Sequence, residues 1–372
     1  MEPNHNSVTP LQAVAIIVNT IISARLLILP RELATEAGNG SWVVLIVGGL
    51  IMLAVAALYT VVGRQFPGST LPQYAVTTLG VFFGGLVSLL FAISWLLMAT
   101  LSSRVFAAVI ITAILPRVPL EVGIIVMLLL AAHLATKDVG TVARVHELFF
   151  PLVVGALFLL IIPSLVRING WQLLPLMEFD GWRKLGRGTL VGLTSFLGFE
   201  IVSLFIPYYE QPEKAGRSHT LGLLIVAAIF LLVMMGCLGI LGKANLVHTQ
   251  WPTLTLVRMI SFHGIFERLE APFLAVYVVV IFTTMGSMLF GVVDIISDLF
   301  KIKSRTTWPY LLALPAYYLA IKPPNIVAVE QIGIMFTRIR FGLVLAAPLL
   351  ILFIAYWRGK RGDPDEKPPK QP

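Results

Sequence analysis

The sequence predicts an all-α integral membrane protein of about ten transmembrane helices, folded as a five-plus-five inverted-repeat, transporter-like bundle with broken first and sixth helices. Three observations carry this expectation. The composition is too apolar for water, apolar runs of spanning length recur along the chain, and two runs five helices apart are interrupted by polar and small residues.

Of 372 residues, 58% are hydrophobic and 12% are charged, whereas a soluble domain averages about 45–50% and about 25%. The polar residues are too few and too clustered to make a water-facing skin. The net charge of +8 comes from Lys and Arg between the apolar runs and in the stretch 358–370, a pattern suited to phospholipid headgroups. Nucleic-acid binding would need a basic groove interleaved with stacking aromatics, and the sequence has none. The single cysteine, Cys237, lies within the apolar run 231–241. It reads as a small core residue and excludes a disulfide framework or a thiolate metal site within one chain. Residues 1–10 have no basic stretch ahead of an apolar one, so they do not read as a cleavable signal, and the first span directs insertion.

A hydrocarbon core about 30 Å thick takes about 20 helical residues. Runs of this kind predict helices over 11–29, 42–63, 82–114, 120–136, 143–166, 189–207, 219–242, 272–299, 307–321 and 336–357. The third and eighth are longer than a perpendicular span needs, which implies tilt. Helix breakers bound the runs: Pro67-Gly68 after the second, Pro116 after the third, Pro119 before the fourth and Pro323-Pro324 after the ninth. The two longest connections, 167–188 and 243–271, carry Trp171, Trp182 and Trp251 and read as short helices lying on one face of the membrane. With the N-terminus inside, about 13 Lys/Arg fall on the cytoplasmic side and about 12 on the other, and long loops weigh little in orientation, so both termini are placed in the cytoplasm. Residues 1–357 are expected to form one ten-helix membrane domain, and 358–372 a basic, proline-rich cytoplasmic tail.

Chemistry concentrates at the interruptions. The first span carries Asn19-Thr20-Ile21-Ile22-Ser23-Ala24-Arg25, with Pro30 expected to end the helix. The sixth carries Thr194-Ser195-Phe196-Leu197-Gly198-Phe199-Glu200, with Pro207 further on. Where a membrane helix unwinds, lipid cannot satisfy the freed N–H and C=O groups, so they must face protein, a cavity or a ligand. Half-helix N-termini then suit a carboxylate, and C-terminal ends suit an amine or cation. The plainer reading is that Ser, Thr and Gly let helices pack closely and that proline only kinks a span.

Glu200 stands out, because a mid-span carboxylate costs on the order of 3 kcal/mol to insert and must face the bundle interior. It either couples a proton, binds a ligand amine, or locks the sixth span to a neighbour such as Arg25. Arg25 itself adjoins the first interruption and reads as a charge at the edge of a site, whereas Arg104 in the third span reads as a structural partner or headgroup contact. In the eighth span, Thr283-Thr284-Met285-Gly286-Ser287 offers hydroxyls that either meet a ligand or bond back to the preceding turn. Asp294 and Asp298, ahead of Lys301 and Lys303, read as interfacial ion-pairing groups. There is no Walker loop, no helical His-Glu-x-x-His pair and no Gly-x-Ser-x-Gly elbow. The chain reads as no enzyme, with no cofactor and no metal.

Several short segments, in order and spacing, resemble one family. They are Leu29-Pro30 through Ala37-Gly38 and Trp42, Phe66-Pro67 with Thr70-Leu71 and Leu79-Gly80, Ser195 through Glu200, Trp251-Pro252-Thr253-Leu254, and Glu267-Arg268-Leu269-Glu270. With these the chain resembles the B subunits of spore-germination nutrient receptors, the GerAB-like proteins of the amino acid–polyamine–organocation transporter superfamily. The resemblance implies a multi-pass protein of the spore inner membrane that recognises a small germinant, often an amino acid. It also implies partnership with an A-type membrane subunit and a C-type lipoprotein. The family's site lies among the first, third, sixth and eighth helices, which here implies Ile22, Ser23, Ala24 and Arg25, Met98, Thr194, Ser195, Leu197, Gly198 and Glu200, and Thr283, Thr284 and Ser287. Family members usually have a Gly-rich first-span break where this chain has Ser23-Ala24-Arg25. Either Arg25 meets a ligand carboxylate in place of free backbone, or a different nutrient is read. Two other functions fit the same residues: a H⁺- or Na⁺-coupled amino acid permease, and a scaffold that only holds the partner subunits.

Overall fold

The structure is a computed structural model that describes residues 6–174, 182–259, 270–302 and 304–358. The tail after 358, Lys303 and the motif residues Glu267, Arg268 and Leu269 lie outside the described residues. Among the described residues, seven helical stretches are long and apolar enough to cross a membrane, and three shorter apolar helices accompany them.

The first span is two half-helices, α1 (Pro10–Ile22) and α2 (Arg25–Ala37). The second is α3 (Ser41–Gln65), followed by a short helix, α4 (Leu71–Leu79), and then by α5 (Val81–Ala113), α6 (Leu120–Ala135) and α7 (Val139–Val166). The sixth span again comes in two pieces, α8 (Trp182–Thr194) and, beyond an unwound stretch, the single turn α9 (Val202–Phe205). Next come α10 (Ala215–Leu246), a short α11 (Pro252–Met259), α12 (Glu270–Phe300), α13 (Trp308–Ile321) and α14 (Ile326–Arg358). The broken helices are thus the first and the sixth, as the sequence predicts.

The α1 start follows from its sequence. Thr9 Oγ1 accepts from the Gln12 amide at 3.2 Å, and Gln12 Oε1 accepts from the Thr9 amide at 2.9 Å, while Pro10 fills a first-turn position where its missing N–H costs nothing. The centre of the bundle is α12, in which every residue from Thr283 to Ile295 is buried. A helix buried on all sides can only be central. Around it pack α1, α5, α6 and α7. The exposed Leu314, Leu349 and Phe353 give α13 and α14 outer faces suited to lipid.

Five expectations are corrected. Pro30 does not end the first helix but sits inside α2. A proline withholds its N–H from the carbonyl four residues back, here that of Leu26, and Thr253 Oγ1 of α11 donates to that oxygen instead. For the same reason α11 is no surface helix, since Pro252, Thr253, Leu254, Leu256 and Val257 are buried against α2 and α10. The sixth span begins at Trp182 rather than 189. The tenth begins at Ile326 rather than 336, because Asn325 Oδ1 caps it by accepting from the Ala328 amide at 2.9 Å. Finally, α4 is a helix in the connection between the second and third expected spans, where none was expected; it is capped by Thr70, whose amide donates to Gln73 Oε1 at 2.9 Å, and is docked by Thr70 Oγ1 on Asp298.

Glycines set the closest helix contact. A Cβ on Gly48 of α3 would lie 2.4 Å from the Gly192 backbone, and one on Gly192 of α8 only 2.3 Å from the Val44 carbonyl oxygen. The half-helix α8 therefore rests directly on α3, in the small-residue manner of membrane helices.

Replacing Thr253 by Val should lower stability by about 1 kcal/mol, because the Leu26 carbonyl loses the donor that stands in for the missing Pro30 N–H, whereas Thr253→Ser should be nearly neutral. Heat-induced unfolding midpoints of the detergent-purified variants check this.

Candidate ligand-binding site

At the first break, Ser23 leaves helical geometry with φ 17° and α2 restarts at Arg25. The last carbonyls of α1 run out of intrahelical donors there, and side chains from other spans reach in. Thr284 Oγ1 of α12 donates to the Asn19 carbonyl at 3.1 Å. Asn19 Nδ2 donates to the His146 carbonyl of α7 at 3.0 Å, and His146 Nε2 lies 2.7 Å from Ser287 Oγ. First, fifth and eighth spans are thereby joined by one polar chain. Among the described residues, Asn19 Oδ1, Thr20 Oγ1 and Ser23 Oγ remain buried without a hydrogen-bond partner, unmet capacity of the kind a polar ligand or water satisfies.

At the sixth break, α8 ends when the hydroxyls of Thr194 and Ser195 turn back to the Val191 carbonyl, at 3.2 and 2.6 Å. Gly198 then adopts φ 116°, which L side chains rarely reach. A Cβ there would lie 3.3 Å from the Thr20 carbonyl oxygen, so the two breaks face each other.

Glu200 holds this segment. One oxygen accepts from the Gly198 amide at 2.8 Å, and the other is paired with the Arg340 guanidinium of α14. Both side chains are almost wholly buried, at 0% and 2% exposure. The neighbour expected for Glu200 was Arg25; that pairing is not made. Arg25 Nη1 instead donates to Glu32 at 2.5 Å, and Nη2 to Thr337 Oγ1 at 3.4 Å. Arg25 and Glu32 are seven residues apart on α2 and so share a face. Arg104 is a structural partner, donating to the Pro323 carbonyl at the end of α13. Asp294 and Asp298 form ion pairs, with Arg305, at 2.8 and 3.9 Å.

Two cavities adjoin at Arg25. The outer one, about 390 Å³, lies between α2, α8 and α14 and includes Arg25, Thr194 and Thr337 in its walls. The inner one, about 70 Å³, is bounded by Ala24, Met98, Ser102 and Trp251. Arg25, Glu32, Ile334 and Thr337 belong to both. Of the residues expected at a site, Ala24, Arg25, Met98 and Thr194 thus line a cavity. Ile22, Ser23, Ser195, Leu197, Gly198, Glu200, Thr283, Thr284 and Ser287 are buried in the packing around the two breaks. Thr283 bonds back to Val279 and Val280, whereas Thr284 and Ser287 reach other spans. Sequence reasoning missed Arg340 and His146, each of which lies near the start of an expected span, where the cost of a buried polar group marks it as surely as it marks Glu200.

Ten spans with the first and sixth unwound make this a transporter-type architecture. Over 95% of this chain and 79% of the other, the structure resembles Mhp1, a nucleobase-cation-symport-1 family transporter in a closed conformation with bromovinylhydantoin bound, with a TM-score of 0.71 at 12% identity. It likewise resembles a Na⁺-coupled sialic acid symporter in a substrate-bound, outward-open state, with a TM-score of 0.66 at 11% identity over 94% of this chain and 79% of that one. The model of a family described as spore germination protein matches residues 7–325, and the chain belongs to that family. Spore germination protein YndE of Bacillus subtilis (strain 168) is 27% identical over 361 residues, which cover 96% of this chain and 98% of YndE.

Arg340→Met should destabilise the protein by about 3–5 kcal/mol, because Glu200 is left as a buried, unpaired carboxylate. Adding Glu200→Gln to that variant should restore most of the loss. Unfolding midpoints and membrane accumulation check this, and a double variant no better than Arg340→Met would contradict the pairing.

Proposed function

We propose that the chain is the nutrient-binding subunit of a spore germinant receptor in the spore inner membrane. It binds a small polar germinant, an amino acid in the first instance, beside the paired breaks and passes the event to an A-type membrane subunit and a C-type lipoprotein. The observation that carries the reading is the position of Arg25. It stands at the N-terminus of half-helix α2, between two cavities, with its charge held by Glu32 and Thr337 rather than buried in a core. A helix N-terminus and a guanidinium together favour a carboxylate. Spare polar atoms on Asn19, Thr20 and Ser23 lie at the same break, and membership of the spore germination family supplies the physiological setting.

Signalling requires the germinant to bind one arrangement of the bundle better than another. The half-helices α2 and α8 are the natural moving parts, since each is joined to the rest of its span by unwound chain. A single membrane domain, 1–357, and a cytoplasmic tail complete the proposal. The fold likeness to two transporters favours a second reading, a H⁺- or Na⁺-coupled amino acid permease. The readings differ in whether the bound nutrient crosses the membrane.

Met98→Trp, which fills the inner cavity, and Thr284→Ala, which frees the Asn19 carbonyl, should each raise the nutrient concentration for half-maximal germination about tenfold, equivalent to about 1.4 kcal/mol. Dose–response curves of spores carrying normal amounts of each variant give the measurement. Unchanged curves for both would remove the breaks from nutrient recognition.

A further inference from the structure

We infer that the outer cavity is a binding site for a small organic anion, one whose carboxylate or phosphate charge exceeds that of any amine, held by the guanidinium groups of Arg187 and Arg338. The inference deepens the germinant-binding reading and rests on it for what the anion does once bound.

Among the described residues, the charges in the cavity wall do not balance. Arg25 is paired with Glu32, at 2.5 Å, and Arg31 with Glu330, at 2.8 Å. Arg187 of α8 and Arg338 of α14 also line the cavity, and among the described residues neither makes an ion pair or hydrogen bond. Against them stands one carboxylate without an ion pair, Glu36. Two unspent planar forks on separate helices suit bidentate capture of carboxylate or phosphate oxygens. A neutral zwitterion would leave the excess positive charge unmatched.

Topology sharpens the argument. The cavity opens on the face away from the N-terminus, which is fixed at the opposite end of the sixth span, where the Val8 amide donates to the Tyr208 carbonyl at 2.8 Å. Arg31, Arg187 and Arg338 are therefore among the positive charges that bring the two sides of the membrane to near-equality, against the usual bias toward the cytoplasm. Gathering three of them in one cavity gives that departure a purpose. A volume of about 390 Å³ admits a small molecule. The wall shared with the inner cavity contains Arg25, Glu32 and Thr337, so an anion seated on Arg187 and Arg338 competes with Glu32 for Arg25 and loosens the partition.

The same chemistry is offered by a free metabolite and by a phospholipid headgroup, and the test separates them. The full-length protein is placed in nanodiscs of neutral phosphatidylcholine, and binding of L-aspartate, succinate, inorganic phosphate and L-alanine is measured by calorimetry. At least one of the three anions should bind about tenfold or more tighter than L-alanine, with affinity falling as salt is added. Arg187→Gln and Arg338→Gln, both at exposed positions, should each weaken that binding severalfold without moving the unfolding midpoint. If no free anion binds but phosphatidylglycerol raises the midpoint of the unsubstituted protein and not of the two variants, the anion is a lipid headgroup. Equal binding of L-alanine and the anions, anion binding indifferent to both substitutions, or no anion effect in either bilayer would overturn the inference. Saturable L-alanine binding that ignores both arginines, with no anion bound more tightly, would sink it while leaving the germinant reading intact. Conversely, anion binding by a protein whose deletion leaves germination to that anion unchanged would keep the site and remove the germinant reading.

Discussion

The buried pair between Glu200 and Arg340 is the constraint on which the rest of the site depends. An unwound segment inside a bilayer cannot rely on solvent for its backbone groups. Here a carboxylate takes up the Gly198 amide with one oxygen and anchors the segment to α14 with the other. Neither charge is tolerable alone at that depth, so each fixes the other. The pair also sets the height of α14, and the two turns before Arg340 supply Ile334, Thr337 and Arg338 to the cavity walls. Lock and site are thus parts of one helix.

The first break is braced from different directions. Thr253 of α11 takes the carbonyl that Pro30 leaves free, Thr284 of α12 takes that of Asn19, and His146 of α7 links Asn19 to Ser287. These contacts hold α1 and the beginning of α2 against a buried central helix. Further along, α2 is tied to α14 by charge instead, through Arg31–Glu330, while Arg25–Glu32 pairs two side chains of α2 itself, all partly exposed. Ion pairs of that kind are worth little in themselves and exchange partners readily. The arrangement leaves the α2–α8–α14 side adjustable around a rigid remainder, as the proposed ligand-sensing role requires.

Much of this was legible in the sequence. The apolar runs located the spans, and a polar interruption in lipid has so few physical outcomes that both breaks could be placed within a few residues. Long-range pairing was not legible. Nothing local to Glu200 distinguishes Arg340, 140 positions away, from Arg25 as its partner, because helix rotation decides which guanidinium arrives. The Pro30 position failed for a related reason. A proline ends a helix unless a distant donor replaces its lost hydrogen bond, and Thr253 lies 227 positions from the carbonyl it satisfies. The N-terminal turns of α14 were missed because Glu330 and Gln331 interrupt the apolar residues there.

The central claim is that the cavities beside the two breaks recognise a nutrient without carrying it across the membrane. The most direct measurement uses sealed proteoliposomes containing this chain alone, with the radiolabelled nutrient that triggers germination through it. Bound and internalised label are then followed with and without imposed H⁺ and Na⁺ gradients. The account predicts saturable binding that reaches a fixed stoichiometry per protein and no accumulation in the lumen under either gradient. Gradient-driven accumulation beyond that stoichiometry would contradict it and make the chain a permease.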